Sequence, residues 1–218
     1  MSGAPSGGHG GSRSRELVES CSGVLEQALN VRFITEVHKG EVSDATYAGY
    51  LLIEEAFVET AARLHGLAVW DAPDRDALER NSAAVHALTT EQADYFRAAR
   101  AAWPVRAELG EAALARANHL STFALETART GGYAAVTTML FAAETLYLTW
   151  CTRAHEEGAV RPGPIADWVA LHAREPFRGG VAALAEQVDR LDRPGSELAL
   201  WFTGMLKAEI VFHDALYE

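Results

Sequence analysis

Sulfur chemistry is nearly missing from this chain. It carries two cysteines, Cys21 and Cys151, in 218 residues. There is no Cys-x-x-Cys and no Cys/His cluster, which leaves neither a zinc site nor a disulfide framework and suits a reducing cytoplasm. Basic runs are missing too. Lys and Arg number 19 against 30 Asp and Glu, a formal charge of −11. No stripe of cations follows a phosphate backbone, so nucleic acid is not an expected partner. No apolar run reaches the roughly 18 residues of a membrane span, so no membrane partner is expected either. Strand signals are absent, because Val, Ile and Thr nowhere alternate with polar residues over a strand's length. The opening stretch, MSGAPSGGHGGSRSR, is rich in Gly and Ser and has no apolar centre. It reads as a flexible tail over 1–13 rather than a signal peptide.

What is present is helical periodicity, carried by 49% apolar residues. The spacing predicts helices over about 14–38, 43–65, 74–101, 109–129, 133–156, 164–173, 176–191 and 195–217. Punctuation agrees with these bounds. Ser43 can cap the second helix and Gly66 can end it. Pro73-Asp74 opens the third and Trp103-Pro104 closes it. Gly131-Gly132 separates two long helices, and Pro-Gly turns precede the helices at 164 and 195. The expectation is one all-α domain over 14–218, of about seven or eight helices.

Acids stand where that fold needs a core. Leu198, Phe202, Met205, Glu209, Phe212 and Leu216 step by 4, 3, 4, 3 and 4 along one face of the last helix. A glutamate in the middle of such a stripe needs a partner, a ligand or a chemical task, since a bare buried carboxylate costs several kcal/mol or takes up a proton. Tyr47, Tyr50, Glu54, Phe57, Ala61 and Leu64 repeat the pattern on the second helix, with Glu55 on its flank. On the helix over 133–156, Glu144 borders a stripe of Val136, Leu140, Ala143 and Tyr147. If the three helices pack together, their acids meet in one pocket, and paired acids in apolar surroundings suit general acid/base work. His65, His119 and His155 have no such context and read as capping or solvent-facing residues. Trp70, Trp103, Trp150, Trp168 and Trp201 read as core aromatics.

Four segments carry a resemblance. HKGEVSDATYAGYLLIEEAFVE (38–59), TTMLFAAETLYLTW (137–150), DWVALHAREPF (167–177) and KAEIVFHDALY (207–217) are together similar, in order and spacing, to the TenA/thiaminase II family from about residue 16 onward. The resemblance implies an all-helical, heme-oxygenase-like fold, assembly as a homo-oligomer, and a small-molecule substrate such as an aminopyrimidine from thiamine breakdown or a specialised metabolite. The family's pocket acid falls on Glu54 and its catalytic acid on Glu209. Its pocket tyrosines fall on Tyr147, which is kept, and on Phe57, Leu120 and the neighbourhood of His172, which are not. The terminal Trp falls on His213. The nucleophilic cysteine falls on Ala143, so covalent chemistry through cysteine is lost, and Glu144 is the one local replacement. Cys151 lies two turns further on, about 12 Å along the axis, too far to substitute.

Three functions follow as expectations. The first is a cofactor-free TenA-like enzyme, hydrolase-like, with Glu54 and Glu209 catalytic and Phe57, Leu120, Ala143, Glu144, Tyr147, His172 and His213 lining the substrate. The second is a di-iron oxygenase of the same fold, drawing ligands from Glu79 and His86, Glu209 and His213, with Glu54 or Glu144. The third is a non-catalytic small-molecule-binding protein.

Overall fold

The computed structural model describes residues 12–218, and every regular element among them is helical. The predicted tail falls chiefly on residues 1–11, outside the described residues. Arg13 belongs instead to the first helix, α1 (Arg13–Ser20), and Ser12 caps it, its side chain accepting a hydrogen bond from the Arg15 N–H. The Arg13 guanidinium donates to the carbonyls of Leu191 and Arg193, pinning this end to the far end of the chain.

The helix predicted over 14–38 is three short ones: α1, α2 (Ser22–Leu29) and α3 (Arg32–Lys39). Cys21 and Asn30 leave the helical region at φ near −100°. The Asn30 amide donates to the Glu26 carbonyl, a local bond that competes with helix continuation. Gly40 ends α3 in the left-handed region at φ 70°, and the Glu41 N–H closes back on the Glu36 carbonyl at 2.8 Å.

Helix α4 (Asp44–Trp70) starts as expected, with the Ser43 side chain accepting from the Thr46 N–H. It does not stop at Gly66. That glycine stays helical, and the next turn seats Ala68 in the core before Asp71 ends the helix. Trp70 then projects into solvent at 86% exposure, so it is not a core residue. The helix predicted over 74–101 is α5 (Arg75–Ala87) and α6 (Ala93–Ala102), joined by a π turn over Leu88–Gln92. The two helices predicted over 109–129 and 133–156 run together as α7 (Glu111–Glu157). They bend at Gly132, whose φ 58°, ψ −149° only glycine adopts readily. Helices α8 (Pro164–Ala173), α9 (Phe177–Arg190) and α10 (Gly195–Asp214) follow, and a 3-10 turn over Ala215–Tyr217 closes the chain.

Helix α7 is the axis of the molecule. Helices α4, α8, α9 and α10 pack around it, and α10 also rests on α1 and α2. One continuous apolar core runs through all of them. Helices α7 and α10 meet closely because residue 204 is glycine: a Cβ there would lie 2.4 Å from the Phe123 ring. The acid-bearing stripes of α4, α7 and α10 thus face one another at mid-height.

Candidate active site

The three stripes border a narrow cavity of about 80 Å³, lined by Glu54, Phe57, Ala143, Glu144, Tyr147, His172 and Glu209, among others. Larger clefts exist, such as one of about 310 Å³ beside Arg100 and Trp103, but they hold no buried acid. The periodicity that placed Glu54 and Glu209 on apolar faces therefore brings them to one cavity. They are 5% and 1% exposed.

Their environments differ. One Glu54 oxygen accepts a hydrogen bond from the Tyr147 hydroxyl at 2.7 Å, and Tyr50 stands behind it, 3.3 Å from the same hydroxyl. Burial pushes the Glu54 carboxyl up to about 7, and the two tyrosines hold it from rising further. Neither oxygen of Glu209 has a partner among the described residues. Burial, then the nearby charge of Glu54, drives its carboxyl well above the usual range. Glu144 stands at the rim, partly open, and its apolar surroundings still raise it to about 7. Glu55, on the flank of the α4 stripe, turns away to an ion pair with Arg100 at 2.7 Å.

The two buried histidines beside these acids, His172 and His213, are neutral bases. His172 Nδ1 donates to the Trp168 carbonyl at 2.9 Å, which leaves its Nε2 as the acceptor. Burial lowers it to about 4. Its ring lies 4.1 Å from the Trp168 ring and 4.6 Å from Phe177, and all three line the cavity. His213 does not. It donates from Nδ1 to the Glu209 carbonyl at 2.8 Å and packs 5.5 Å from Phe33 and 6.2 Å from Tyr50. It forms a second layer behind Glu209, with its Nε2 buried and without a partner among the described residues. Its 3.9 Å approach to the Glu209 carboxyl joins two neutral groups, since burial also lowers His213 to about 4. Leu120 is outside the cavity too. It is fully buried in the core, where the α7 stripe places an apolar residue.

Ala143 lines the wall and offers no nucleophile. Cys151 is fully buried, and burial pushes its thiol well up, the opposite of what a reactive thiolate needs. Of the donors of the di-iron alternative, Glu54, Glu144 and Glu209 line the cavity with His213 behind them, whereas the pair on α5 stands apart. Glu79 and His86 face solvent on α5, with Glu79 paired to Arg75. Among the described residues, no group of three or more His, Cys, Asp or Glu comes together as a metal site.

Several lining residues carried no sequence signal. His65 is buried against the cavity rather than capping a helix or facing water, and Trp168, Leu88 and Gln92 line it as well. The last two come from the π turn, a feature that recurs at functional sites. His119 and His155 are exposed, as expected.

Comparison with known proteins agrees with this architecture. The model of the TENA/THI-4/PQQC family matches residues 24–218. A TenA homologue from Pyrococcus furiosus superposes with TM-score 0.80 at 18% identity, covering 94% of this chain and 100% of that one. A protein described as a TenA family transcription regulator, from Silicibacter sp. TM1040, gives TM-score 0.83 at 17% identity, covering 95% and 98%. A TenA homologue from P. horikoshii OT3 gives 0.73 at 13% identity, covering 95% and 99%. No curated protein matches significantly.

Proposed function

This chain belongs to the TENA/THI-4/PQQC family, and from that premise we propose that it is an enzyme acting on a small nitrogen heterocycle. The reaction is acid/base catalysis by Glu54 and Glu209, without a cofactor and without a covalent cysteine. The observation that carries this reading is Glu209, a carboxyl 1% exposed whose two oxygens lack a partner among the described residues while it lines a cavity shared with a second glutamate. A buried polar group left unpaired costs about 1–3 kcal/mol, and a ligand that pairs with it recovers that cost.

The substrate class is an aminopyrimidine or a related metabolite with ring N–H or amino donors. Glu54, as the carboxylate steadied by Tyr147, accepts from such a donor and sets the ring's orientation. Phe57, Trp168 and His172 supply flat faces for it. Glu209 holds its proton at neutral pH and gives it to the departing group as the bond to carbon breaks. Water then adds to that carbon, and the Glu209 carboxylate takes the proton released. The alanine at 143 leaves room for water where a nucleophilic side chain would otherwise stand. Location in the cytoplasm and assembly as a homo-oligomer belong to the same proposal. Among the described residues, no helix is long and apolar enough to cross a membrane.

Glu209→Gln tests the assignment. Gln keeps the size and a donor but cannot cycle a proton. Turnover should fall by ~10²–10⁴-fold while the affinity for an aminopyrimidine, read by calorimetry, stays within a few-fold. Wild-type protein that binds such a ring and turns nothing over would instead identify a binding protein.

A further inference from the structure

The cavity has a second polar end. His65 follows Glu54 by eleven residues on α4, three turns along the same face and about 16 Å of helix axis. Phe57, Val58 and Ala61 line the interval, and Leu140 and Ala143 of α7 line the wall with them. A slot with acids at one end, an apolar middle and a histidine at the other is the result.

The protonation of that histidine follows from its neighbour. The Asn81 side-chain nitrogen donates to the Ala77 carbonyl at 2.8 Å. A carbonyl can only accept, so the amide is oriented and its oxygen must face His65. That oxygen lies 2.8 Å from His65 Nδ1, which therefore carries the ring proton. Nε2 is left as a lone pair with no partner among the described residues. His65 is 8% exposed and lines the cavity, and burial lowers its basicity, so the ring stays neutral. Tying α4 to α5 uses only the Nδ1 side of the ring. Gln92 lines the same cavity with an amide able to donate.

We propose that this cavity takes an elongated ligand whose far end, a hydroxyl joined through an apolar segment to the ring at Glu54, donates its hydrogen bond to His65 Nε2. The proposal rests on the reading of Glu54 and Glu209 as the ring-binding end. A hydroxyl suits the site because it gives its proton to His65 and keeps a lone pair for the Gln92 amide.

The test is calorimetric titration of the intact protein with 4-amino-2-methylpyrimidine and with the same ring bearing, at C5, unbranched chains of increasing length. Each chain ends in a hydroxyl or in its methyl ether. At the best-fitting length the alcohol should bind wild-type protein about tenfold more tightly than the ether, the usual scale of one buried hydrogen bond lost. His65→Phe should bring the alcohol down to the ether's level. Equal affinities of alcohol and ether for wild-type protein at every length overturn the proposal, and that comparison does not depend on the variant folding. A preference for the alcohol that survives in His65→Phe overturns it as well. Failure of the plain ring to bind wild-type protein removes the ring-binding reading, and this proposal with it. Binding of the ring without preference for the alcohol defeats this proposal alone.

Discussion

Two residues of one type are held in different states by their partners. Glu54 has a hydroxyl donor at 2.7 Å and rises only to about 7. Glu209 has none among the described residues and rises well beyond its usual range. Near neutral pH the cavity therefore contains a protonated acid beside a half-ionised base, the division of labour that acid/base catalysis uses. The rate should climb with pH through about 7 as Glu54 ionises, then fall at higher pH as Glu209 loses its proton. Glu144 also sits near 7, but Tyr147 donates to Glu54. Tyr147→Phe should thus shift the lower limb of the pH–rate profile to higher pH. A limb that stays in place would assign it to Glu144 instead.

Among the elements, α7 depends on a single backbone position. Gly132 adopts φ 58°, ψ −149° in the middle of a continuous helix, a region that costs other residues about 1–3 kcal/mol. Gly132→Ala should lower stability by that amount in a denaturant titration. The half of the helix that carries Leu140, Ala143, Glu144 and Tyr147 would re-aim along with it. Sequence spacing read Gly131-Gly132 as a gap between two helices, because glycine pairs normally punctuate and the chain here bends without stopping. The apolar stripes themselves were legible. The positions that alternate by three and four around Glu54 and Glu209 are the ones the core buries, since burial follows helical period directly. Breaks at Cys21 and Asn30 were not legible, as neither is a strong helix breaker. His65 was missed for another reason: its partner, Asn81, lies on a different helix, and spacing along one chain segment carries no information about contacts across two.

For the molecule as a whole, buried titratable groups set opposing dependences on pH. Glu54 and Glu144 rise from 4.5 to about 7, and burial holds Glu209 well above its usual range. Above pH 4.5 the folded state thus binds more protons than the unfolded one, and stability falls as pH climbs through the folded values. His172 and His213 drop from 6.5 to about 4, so the folded state binds fewer protons in that window and stability grows with pH across it. The two trends offset each other between 4.5 and 6.5. Melting temperature should show a plateau there, with losses on both sides. Glu209→Leu removes one acid and completes an apolar stripe. It should melt at or above the wild-type temperature at pH 8, and a large drop would reveal a structural partner for Glu209. The π turn at Leu88–Gln92 has a consequence of another kind. It holds one residue more than an ordinary helical turn, and loss of that residue would swing its side chains by about 100° around the axis. This part of the cavity wall is thus encoded in chain length as well as in side-chain identity. A lineage can recut that wall by a one-residue insertion or deletion while the helices bearing the two acids stay unchanged.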